Sequence, residues 1–478
     1  LYTKALEEKM NCDIEFVYLP STVAEAKQKV ELMIAADGKD LPDIIVNVPM
    51  EDSSILRYGS RGFIKSLNQY YDNSAYYLND VLKAETNLKD MITMADGNIY
   101  VIPRYQKILQ NELGYRMWIY KPWLEKLNLS EPKTLDEFYN VLKAFKEKDP
   151  NGNGLADEIP FIGATSGGEN WFCDFIAAAF QPIDIQSNYL YPENGKIKAA
   201  YVEPEYKEAL KYLNKLCTEG LLSPSSFTSD GAQTRQTIQN PSGVQVGCFT
   251  SMAPTYLINA TDRAEGYDIL APLTQDNGTG YAVYGASIPT NSFFITKNCQ
   301  YPEAAFRLGD IMMSEEMSIW NRFDKKGTDW VEPEEGDHGM FESMGYKAKI
   351  KPILAWGSPQ NSHWQQGAPA YRGYELACAT VDSGSNIYET RIAEHLQSYL
   401  DKKPKEYITK IIYTEDEINA INEIQQNITS YRKDSVARFI IGDWDIESGW
   451  EDYLKEMKAI GVDEMLDIVQ KAYDRCNK

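Results

Sequence analysis

Short apolar runs alternate with an amphipathic stretch at the start of the chain. Residues 13–19 (DIEFVYL) form a β-branched and aromatic run that is typical of a strand. Thr22 and Glu25 have the spacing of a helix capping box. Behind them, apolar residues recur at helical period, at Val23, Ala26, Val30 and Met33. Residues 43–48 (DIIVNV) form a continuous apolar run, which predicts a buried parallel strand. This order predicts an α/β fold with helices on the faces of a sheet.

The alternation continues along the rest of the chain. Further strands are predicted at 99–103, 113–120 and 244–250. Further helices are predicted behind the capping box of Thr134 and Glu137, over 203–219, from Pro302, and from about Thr414 to the end. A chain of 478 residues is too long for one ordinary hydrophobic core, so we expect two or three lobes.

One loop carries the ligand pattern of a metal site. In the segment DPNGNGLADE at 149–158, oxygen-bearing side chains fall at the first, third and fifth positions, and Gly154 allows the tight curl at the sixth. This is the ligand order of an EF-hand loop, in which alternate oxygens turn towards one Ca²⁺ ion. The predicted Ca²⁺ ligands are Asp149, Asn151, Asn153, the carbonyl of Leu155, Asp157 and Glu158.

The loop departs from a true EF-hand at its end. The twelfth position is Pro160 instead of Glu, so a bidentate carboxylate must come earlier, from Asp157 or Glu158. The following residues, 159–161, do not continue as a helix, which favours a fixed structural ion over a calcium switch. The alternative is a plain Asn-Gly turn that binds no metal.

The charge balance and the missing motifs exclude several classes of function. With 70 acidic and 48 basic residues the net charge is −22, which disfavours nucleic acid as a partner. The chain has three histidines and no H-E-x-x-H, G-x-S-x-G, phosphate-binding G-x-x-x-x-G-K-[ST] or dinucleotide-binding G-x-G-x-x-G motif. A glycoside hydrolase stays open, since its two carboxylates need no short motif.

Residues 118–160 closely resemble the signature of family 1 extracellular solute-binding proteins, in particular the long LplA-like lipoproteins found mainly in Firmicutes. The matching parts are Trp123-Leu124, Pro132, Thr134–Phe138 and the whole loop 149–158. Three further stretches are similar to the family, at 2–16, 42–46 and 431–457. The likeness extends over nearly the whole chain.

The resemblance implies a two-lobed fold of the periplasmic-binding-protein type II class. Each lobe is expected to hold a mixed sheet flanked by helices, with a hinge of about three strands, extra C-terminal helices and a solute held between the lobes. The expected division is 1–103 with about 271–315 against 104–270 with about 316–478. Related members place calcium on the loop that matches 149–158.

The resemblance also implies a function and a location. We expect a monomer that catalyses nothing, captures an oligosaccharide on the outer face of the cell membrane and passes it to the permease subunits of an ABC importer. The family is anchored through a lipidated Cys near the start of the mature protein, and no residue here matches it. The chain opens on Leu1, and we expect it to be a mature or trimmed fragment.

Candidate ligand-binding residues follow from the chemistry of sugars. A sugar has an apolar face and polar edges, so its site needs stacking aromatics together with amide, carboxylate or Arg partners. In a two-lobed binder, these residues lie on loops at strand ends that face the cleft. The candidates are Asn47, Arg104, Tyr105, Asn170, Trp171, Thr250, Tyr256, Tyr284, Trp356 and Trp364. The alternative for each aromatic is ordinary packing, and for Arg104 it is an ion pair at the hinge.

The identity of the cargo and two rival functions stay open at this level. The cargo is a neutral oligosaccharide, a glycan with uronic acids, or another solute, and the charge of −22 disfavours a strongly acidic glycan unless local charge overrides it. A polysaccharide-active enzyme would need two cleft carboxylates about 5–9.5 Å apart. A sensor or receptor partner would share the fold, because fold does not fix function.

Overall fold

The computed structural model describes residues 1–166, 172–253, 258, 261–353, 362–364, 367–381 and 387–476. The helices are α1 (Tyr2–Met10), α2 (Val23–Ala35), α3 (Asp52–Ser60), α4 (Asn68–Asn73), α5 (Tyr77–Ala84), α6 (Leu88–Ile92), α7 (Leu109–Glu112), α8 (Lys121–Lys126), α9 (Leu135–Glu147), α10 (Phe172–Ala177), α11 (Pro204–Thr218), α12 (Gly231–Ile238), α13 (Thr261–Glu265), α14 (Pro302–Met312), α15 (Glu315–Phe323), α16 (Tyr374–Ala377), α17 (Ile387–Leu400), α18 (Glu415–Ile441), α19 (Ile446–Ile460) and α20 (Val462–Cys476).

Most strands are short. They are β1 (Ile44–Val46), β2 (Pro103–Gln106), β3 (Arg116–Tyr120), β4 (Ile159–Ile162), β5 (Leu190–Glu193), β6 (Lys196–Ala199), β7 (Val246–Ser251), β8 (Tyr267–Leu270), β9 (Thr290–Asn291), β10 (Phe293–Ile295), β11 (Trp330–Val331), β12 (Lys351–Pro352) and β13 (Ala370–Arg372). Short 3₁₀ turns occur at Ala200–Val202, Pro224–Phe227 and Glu342–Met344.

Helix starts follow local sequence signals. The side chain of Thr134 accepts a hydrogen bond from the backbone of Glu137, and the Glu137 carboxylate accepts one from the backbone of Thr134 in return. Thr414 and Glu417 form the same reciprocal pair at the start of α18. Each pair satisfies backbone donors that a helix start leaves free. The helices predicted behind Thr22, Thr134 and Pro302 are confirmed.

Two strand predictions are wrong, and both errors concern pairing. Residues 13–19 pair with no strand in the described part of the chain, and their aromatic side chains are exposed, with Tyr18 at 86%. The run at 43–48 does contain β1, but β1 pairs with β10 in the antiparallel direction. An apolar run indicates that a strand is buried. It does not indicate whether the neighbouring strand, here about 250 residues later in the chain, runs parallel or antiparallel to it. The strand predicted at 99–103 begins only at Pro103.

The main sheet is mixed and has four strands. Its order is β4-β7-β3-β8, with β4 parallel to β7 and the other neighbours antiparallel. Helix α9 packs against β4, and helix α10 packs against β3 and β7. Its strand positions are almost fully buried, as expected for a sheet that is covered by helices.

Buried apolar side chains form two large clusters. The smaller core includes Tyr2, Ile45, Tyr105, Phe293 and Met317. The larger core extends from Leu109 to Ala286 and from Met340 to Val469. Two contiguous cores in one chain are the packing basis of two lobes.

The core memberships differ from the predicted lobe limits in two regions, one on each side of residue 316. Leu273 and the stretch 282–286 belong to the larger core, although the sequence suggested the first lobe for 271–315. Met317 belongs to the smaller core. The exact lobe division stays a prediction.

The chain passes between the two cores beside each strand of a second, three-stranded sheet. Its order is β13-β2-β9, with β13 parallel and β9 antiparallel to β2. The chain leaves the smaller core after Tyr105 and enters the larger at Leu109, and it returns between Ala286 and Phe293. Around β13 it passes from Ala368 in the smaller core to Ala377 in the larger. We call this the hinge sheet.

The last three helices pack onto the larger core. Helix α18 contacts α11, and helices α19 and α20 pack against α18. The guanidinium of Arg432 on α18 lies 3.7 Å from the ring centroid of Tyr189 and close to the buried Asp174 of α10. The predicted helical C-terminal portion is therefore confirmed. Among the described helices, none has the length and apolarity needed to cross a bilayer.

Candidate functional site

One face of the hinge sheet carries tyrosines. Tyr105 and Tyr371 are paired across β2 and β13 and therefore point to the same side. The hydroxyl of Tyr371 donates to Glu85 Oε1 at 2.8 Å, and Lys107 Nζ lies 2.6 Å from Glu85 Oε2. Burial raises the pKa of both tyrosines, and the charge of Glu85 adds to that shift. Both hydroxyls therefore stay neutral hydrogen-bonding groups.

A strap of irregular chain, residues 403–413, lies near this tyrosine face, where Tyr407 adds to the rise in the pKa of Tyr105 that burial causes. Its Tyr407 ring packs against Tyr284 with centroids 4.9 Å apart, and Lys403 Nζ lies 4.2 Å from the Tyr284 ring centroid. The hydroxyls of Tyr284 and Tyr374 donate to Glu112 Oε2 at 3.2 and 3.1 Å. The strap is thus held to the larger lobe by aromatic and cation–π contacts.

The far end of the strap reaches the smaller lobe. Lys410 Nζ lies 2.9 Å from Asp52 Oδ2 and donates to the carbonyl of Met91 at 2.7 Å. Asn291 on β9 donates to the same Asp52 carboxylate at 2.8 Å. Since the Lys410 side chain is only 11% exposed, this pair is shielded and ties the two lobes together behind the hinge.

The opposite face of the hinge sheet carries cationic and amide side chains. Arg104 lies opposite Ala370, and Arg372 lies opposite Gln106, so these alternate residues share one face. The Arg372 guanidinium donates to Gln106 Oε1 at 3.0 Å. Burial lowers the pKa of Arg372 to about 9, and the positive charges of Arg322 and Arg104 act in the same direction. We call this side of the sheet the arginine face.

Four of the predicted ligand residues lie outside the described residues, namely Asn170, Trp171, Tyr256 and Trp356. Of the others, Asn47 is exposed directly after β1 and has a left-handed backbone with φ 59°. A Cβ added to Gly367 would lie 3.0 Å from Asn47 Nδ2, so the two segments are in close contact. Arg104 is half-buried on the arginine face.

Trp364 lies against the first helix. Its indole Nε1 donates to Thr3 Oγ1 at 3.0 Å, and its ring meets the rings of Tyr2 and Phe16 edge-on at 5.1 and 5.6 Å. These contacts are those of a packed aromatic. Its predicted contact with a solute stays a prediction.

The remaining three candidates are buried. Tyr105 and Tyr284 are 3% exposed, and Thr250 lies inside the main sheet opposite Met117. Buried side chains of this kind present little surface to a solute in this conformation. The sequence alone could not show that these three residues are buried, because a residue at the end of a strand can be either buried or exposed.

Sequence reasoning missed Arg322, Arg372, Asn321 and Glu112. Each lies far along the chain from the residues it meets, and none belongs to a short motif. The one available signal was the Ala-Tyr-Arg alternation at 370–372, which places Arg372 and Tyr371 on opposite faces of a strand.

The loop 149–158 is organised by its own side chains. The Asp149 carboxylate accepts hydrogen bonds from the backbone of Gly152, Asn153 and Gly154 at 2.8, 3.2 and 3.1 Å. Asn151 Oδ1 accepts from the backbone of Asn153 at 2.9 Å. Asn153 Oδ1 accepts from Leu155 at 2.7 Å. The oxygens of positions one, three and five are thereby turned towards the inside of the curl.

Two carboxylates close the loop. The amides of Asn151 and Asn153 donate to Asp157 Oδ1 at 2.9 and 3.0 Å, and these hydrogen bonds lower the pKa of Asp157. Both carboxylate oxygens of Glu158 are shielded from solvent and have no hydrogen-bond partner in the described structure, and burial raises the pKa of Glu158. A carboxylate buried in this way is costly unless it has a cationic or donor partner.

Within the described ranges, Asp, Glu, His and Cys side chains alone do not form a metal site. Across the part of the chain that the structure describes, no three His, Cys, Asp or Glu side chains lie close enough together to hold a metal ion. A cation in the loop 149–158 would therefore depend on mixed oxygen donors, with two Asn amides and the Leu155 carbonyl beside the carboxylates. Mixed oxygen sets of this kind are ordinary for Ca²⁺.

Comparisons with known proteins agree with the two-lobed architecture. Residues 2–318 match the sequence model of the family described as bacterial extracellular solute-binding protein. A solved structure of an EF-hand mutant of FusA from S. pneumoniae, in complex with fructo-nystose, superposes with a TM-score of 0.76. It is 24% identical and the match covers 100% of this chain and 96% of that one, which shows a shared fold. The predicted two-lobed α/β fold with mixed sheets is thus confirmed.

Two curated relatives match along most of their length. The fructooligosaccharide ABC transporter substrate-binding protein FusA of Streptococcus pneumoniae is 26% identical, over 99% of this chain and 87% of its own. The polygalacturonan/rhamnogalacturonan-binding protein YtcQ of Bacillus subtilis is 23% identical, over 86% of this chain and 79% of its own.

Proposed function

The chain belongs to the family of bacterial extracellular solute-binding proteins, and we propose that it captures an oligosaccharide between its lobes and delivers it to an ABC importer. The observation that carries this proposal is the hinge sheet. Its strands lie where the chain passes between two separate hydrophobic cores, which is the arrangement that lets two lobes close on a solute.

The choice of an oligosaccharide comes from the relatives. FusA and YtcQ, which match over most of their length, bear names that describe fructooligosaccharide transport and polygalacturonan/rhamnogalacturonan binding. The partners would be the permease subunits in the membrane. The lipid anchor and the monomeric state stay predictions.

Calorimetric titration against a panel of defined oligosaccharides tests this function. The panel includes inulin-type, pectic and host-derived oligosaccharides. Each sugar is recovered after the titration, and its mass is determined by mass spectrometry. Saturable binding of one structural class, with intact sugar recovered, is the expected result. Shortened products whose formation ends on substitution of one Asp or Glu would favour the enzyme hypothesis instead, and no binding to any sugar would contradict the proposed cargo.

We further propose that the loop 149–158 holds a structural Ca²⁺ ion. The support is the set of inward oxygens and the buried Glu158 carboxylate, for which a divalent cation is the natural partner. Asp149, Asn151, Asn153, the Leu155 carbonyl, Asp157 and Glu158 would hold it. The ion would supply two fixed positive charges that offset two of the three negative charges of the carboxylates.

The calcium proposal is tested by thermal unfolding of Glu158→Gln. The parent protein is expected to melt a few degrees higher in Ca²⁺ than in chelator, because a ligand at 100 times its dissociation constant adds about 2.7 kcal/mol. Glu158→Gln should lose most of that difference. The matched control is Glu147→Gln, an exposed acid at the end of α9 that should keep it. Equal melting of the parent protein in Ca²⁺ and chelator would leave the loop as a plain turn.

A further inference from the structure

A cavity lies between the strap 403–413 and the C-terminal helices. Its volume is about 190 Å³, and its walls are formed by the strap, the loop 186–190, α18, α20 and Ile288. An apolar cavity of about 150 Å³ holds one benzene ring, so this cavity has room for a six-membered ring with a small substituent.

The cavity is separate from the space between the lobes, although it lies beside two connections to the smaller lobe. Among the described residues, none of the smaller core lines it. Ile288 lies where the chain passes from Ala286 in the larger core to Phe293 in the smaller one. Lys410 of the strap reaches Asp52, with Nζ 2.9 Å from Oδ2. A molecule in the cavity would therefore touch both connections.

The walls of the cavity are largely aliphatic. They are formed in the main by Ile288, Ile408, Ile411, Met465 and Val469. Of the described residues that line the cavity, Lys410 alone is charged, and its ammonium already meets Asp52 and the carbonyl of Met91. An ionic ligand would find no free countercharge here, and burying an unpaired charge is costly. The walls therefore favour a neutral molecule with an apolar body.

Three amide side chains add polar groups to this lining. Gln186 and Asn188 are exposed, and Gln425 of α18 is half-buried. None of these three side chains makes a hydrogen bond to the described part of the chain. A side-chain amide both donates and accepts, which suits the hydroxyl group of a ligand. The exposed pair also leaves the cavity accessible from solvent.

The loop 186–190 has a strained backbone at the cavity. Asn188 and Tyr189 are consecutive and both left-handed, with φ 55° and 66°, which is unusual for a bulky residue such as Tyr189. The backbone of Tyr189 donates to the carbonyl of Asp184 at 2.7 Å, and its hydroxyl donates to Asp174 Oδ2 at 3.2 Å. Asn188 lines both this cavity and a neighbouring one of about 220 Å³. Backbone strain of this kind is concentrated at ligand sites and switch regions.

We propose that this cavity is a second binding site, which takes a small neutral ring compound that carries one or two hydroxyl groups. The aliphatic walls contact the ring, and the amides of Gln186, Asn188 and Gln425 bind its hydroxyl groups. An oligosaccharide is too large for a cavity of about 190 Å³, so this ligand is distinct from the solute that is captured between the lobes.

A ligand-observed NMR titration of the whole chain tests the site, with cyclohexanol as the probe and cyclohexanecarboxylate as its charged counterpart. Cyclohexanol is expected to bind with a Kd on the order of 1 mM, which is ordinary for so small a ligand. The carboxylate should bind at least about tenfold more weakly, because its charge meets no free partner in the walls. Absence of cyclohexanol binding would mean that the cavity holds only water and would overturn the proposal. Equal binding of the carboxylate would overturn the neutral class of ligand.

Tryptophan variants locate the bound probe. Gln425→Trp and Ile288→Trp each place an indole in the cavity, from two different walls, and each should weaken cyclohexanol binding by at least about tenfold. The matched control is Gln426→Trp, which changes the neighbouring exposed residue of α18 and should leave the affinity as in the parent. Thermal unfolding identifies which variants are folded. Parent-like binding by a folded cavity variant would place cyclohexanol elsewhere and contradict the site, whichever oligosaccharide the protein captures.

Discussion

The carboxyl group of Asp184 is buried in the larger lobe. It is 5% exposed and accepts hydrogen bonds from the backbone and hydroxyl of Ser187 at 3.1 and 2.7 Å. Burial raises its pKa to about 6, although the bonds from Ser187 act in the opposite direction. Between about pH 4 and pH 6 the folded protein therefore holds a proton that the unfolded chain has released.

Stability should accordingly fall as the pH rises through that window and stay lowered above it. Asp184→Asn removes the titrating group, so its unfolding free energy relative to the parent should increase from pH 4 to pH 7 by an amount on the order of 3 kcal/mol. Urea unfolding of both proteins at several pH values measures this difference. A difference that is constant with pH would show that Asp184 titrates normally.

Individual site residues were predictable only where their partners are neighbours in sequence. The loop 149–158 holds all its oxygen donors within ten residues, so its ligand order is visible in the sequence alone. The arginine face combines residues of β2, α15 and β13, which meet only after the hinge sheet has formed. No pattern of sequence spacing connects Arg104 to Arg372. The burial of Tyr105 and Tyr284 also depends on distant residues, those of the strap 403–413.

At the scale of elements, helix α18 carries a buried arginine that lies close to a buried carboxylate of the larger core. Arg432 lies over Tyr189 and near Asp174, and the Tyr189 hydroxyl donates to Asp174 Oδ2 at 3.2 Å. Burial raises the pKa of Asp174 to about 6, and the Arg432 charge opposes that rise. Removing the arginine alone would leave the carboxylate buried without its countercharge.

Arg432→Met is expected to destabilise the protein by about 3–5 kcal/mol, the usual cost of breaking a buried pair. The double variant with Asp174→Asn should recover much of that loss, because both charges are then gone. Chemical unfolding of the single and double variants measures the coupling. Arg438→Met on the same helix, where Arg438 faces the exposed Asp434 at 3.9 Å, should cost less than about 1 kcal/mol. Equal losses for Arg432→Met and Arg438→Met would contradict the ionic role.

Helices and strands were predictable from the sequence where the residues that determine them are close together in the chain. The capping boxes at Thr134 and Thr414 lie within four residues, and both helices start where the sequence indicates. Strand identity depends on pairing, which explains why 13–19 is not a strand and why β1 runs antiparallel to its neighbour. Apolar composition alone does not distinguish these outcomes.

For the whole molecule, two cores predict two steps of heat unfolding. The loop 149–158 joins α9 to β4, and both elements belong to the larger core through Phe138 and Phe161. Chelation of Ca²⁺ should therefore lower the melting temperature of one step by a few degrees and leave the other unchanged. Differential scanning calorimetry resolves the two steps. A single transition, or an equal shift of both, would show that the lobes unfold as one unit.

The pairing of β1 with β10 has a consequence for how the protein is made. Ile44 leaves the ribosome long before Ile295, so the smaller lobe lacks one strand of its β1–β10 pair and the core residues from Phe293 onwards until more than half of the chain has been synthesised. Contacts between such distant residues are slow to form, and an unfinished core exposes apolar surface. The smaller lobe therefore completes its fold late, after most of the larger lobe has already been synthesised. A chain of this topology suits export in an unfolded form, because its first lobe is still incomplete when more than half of the chain has been synthesised.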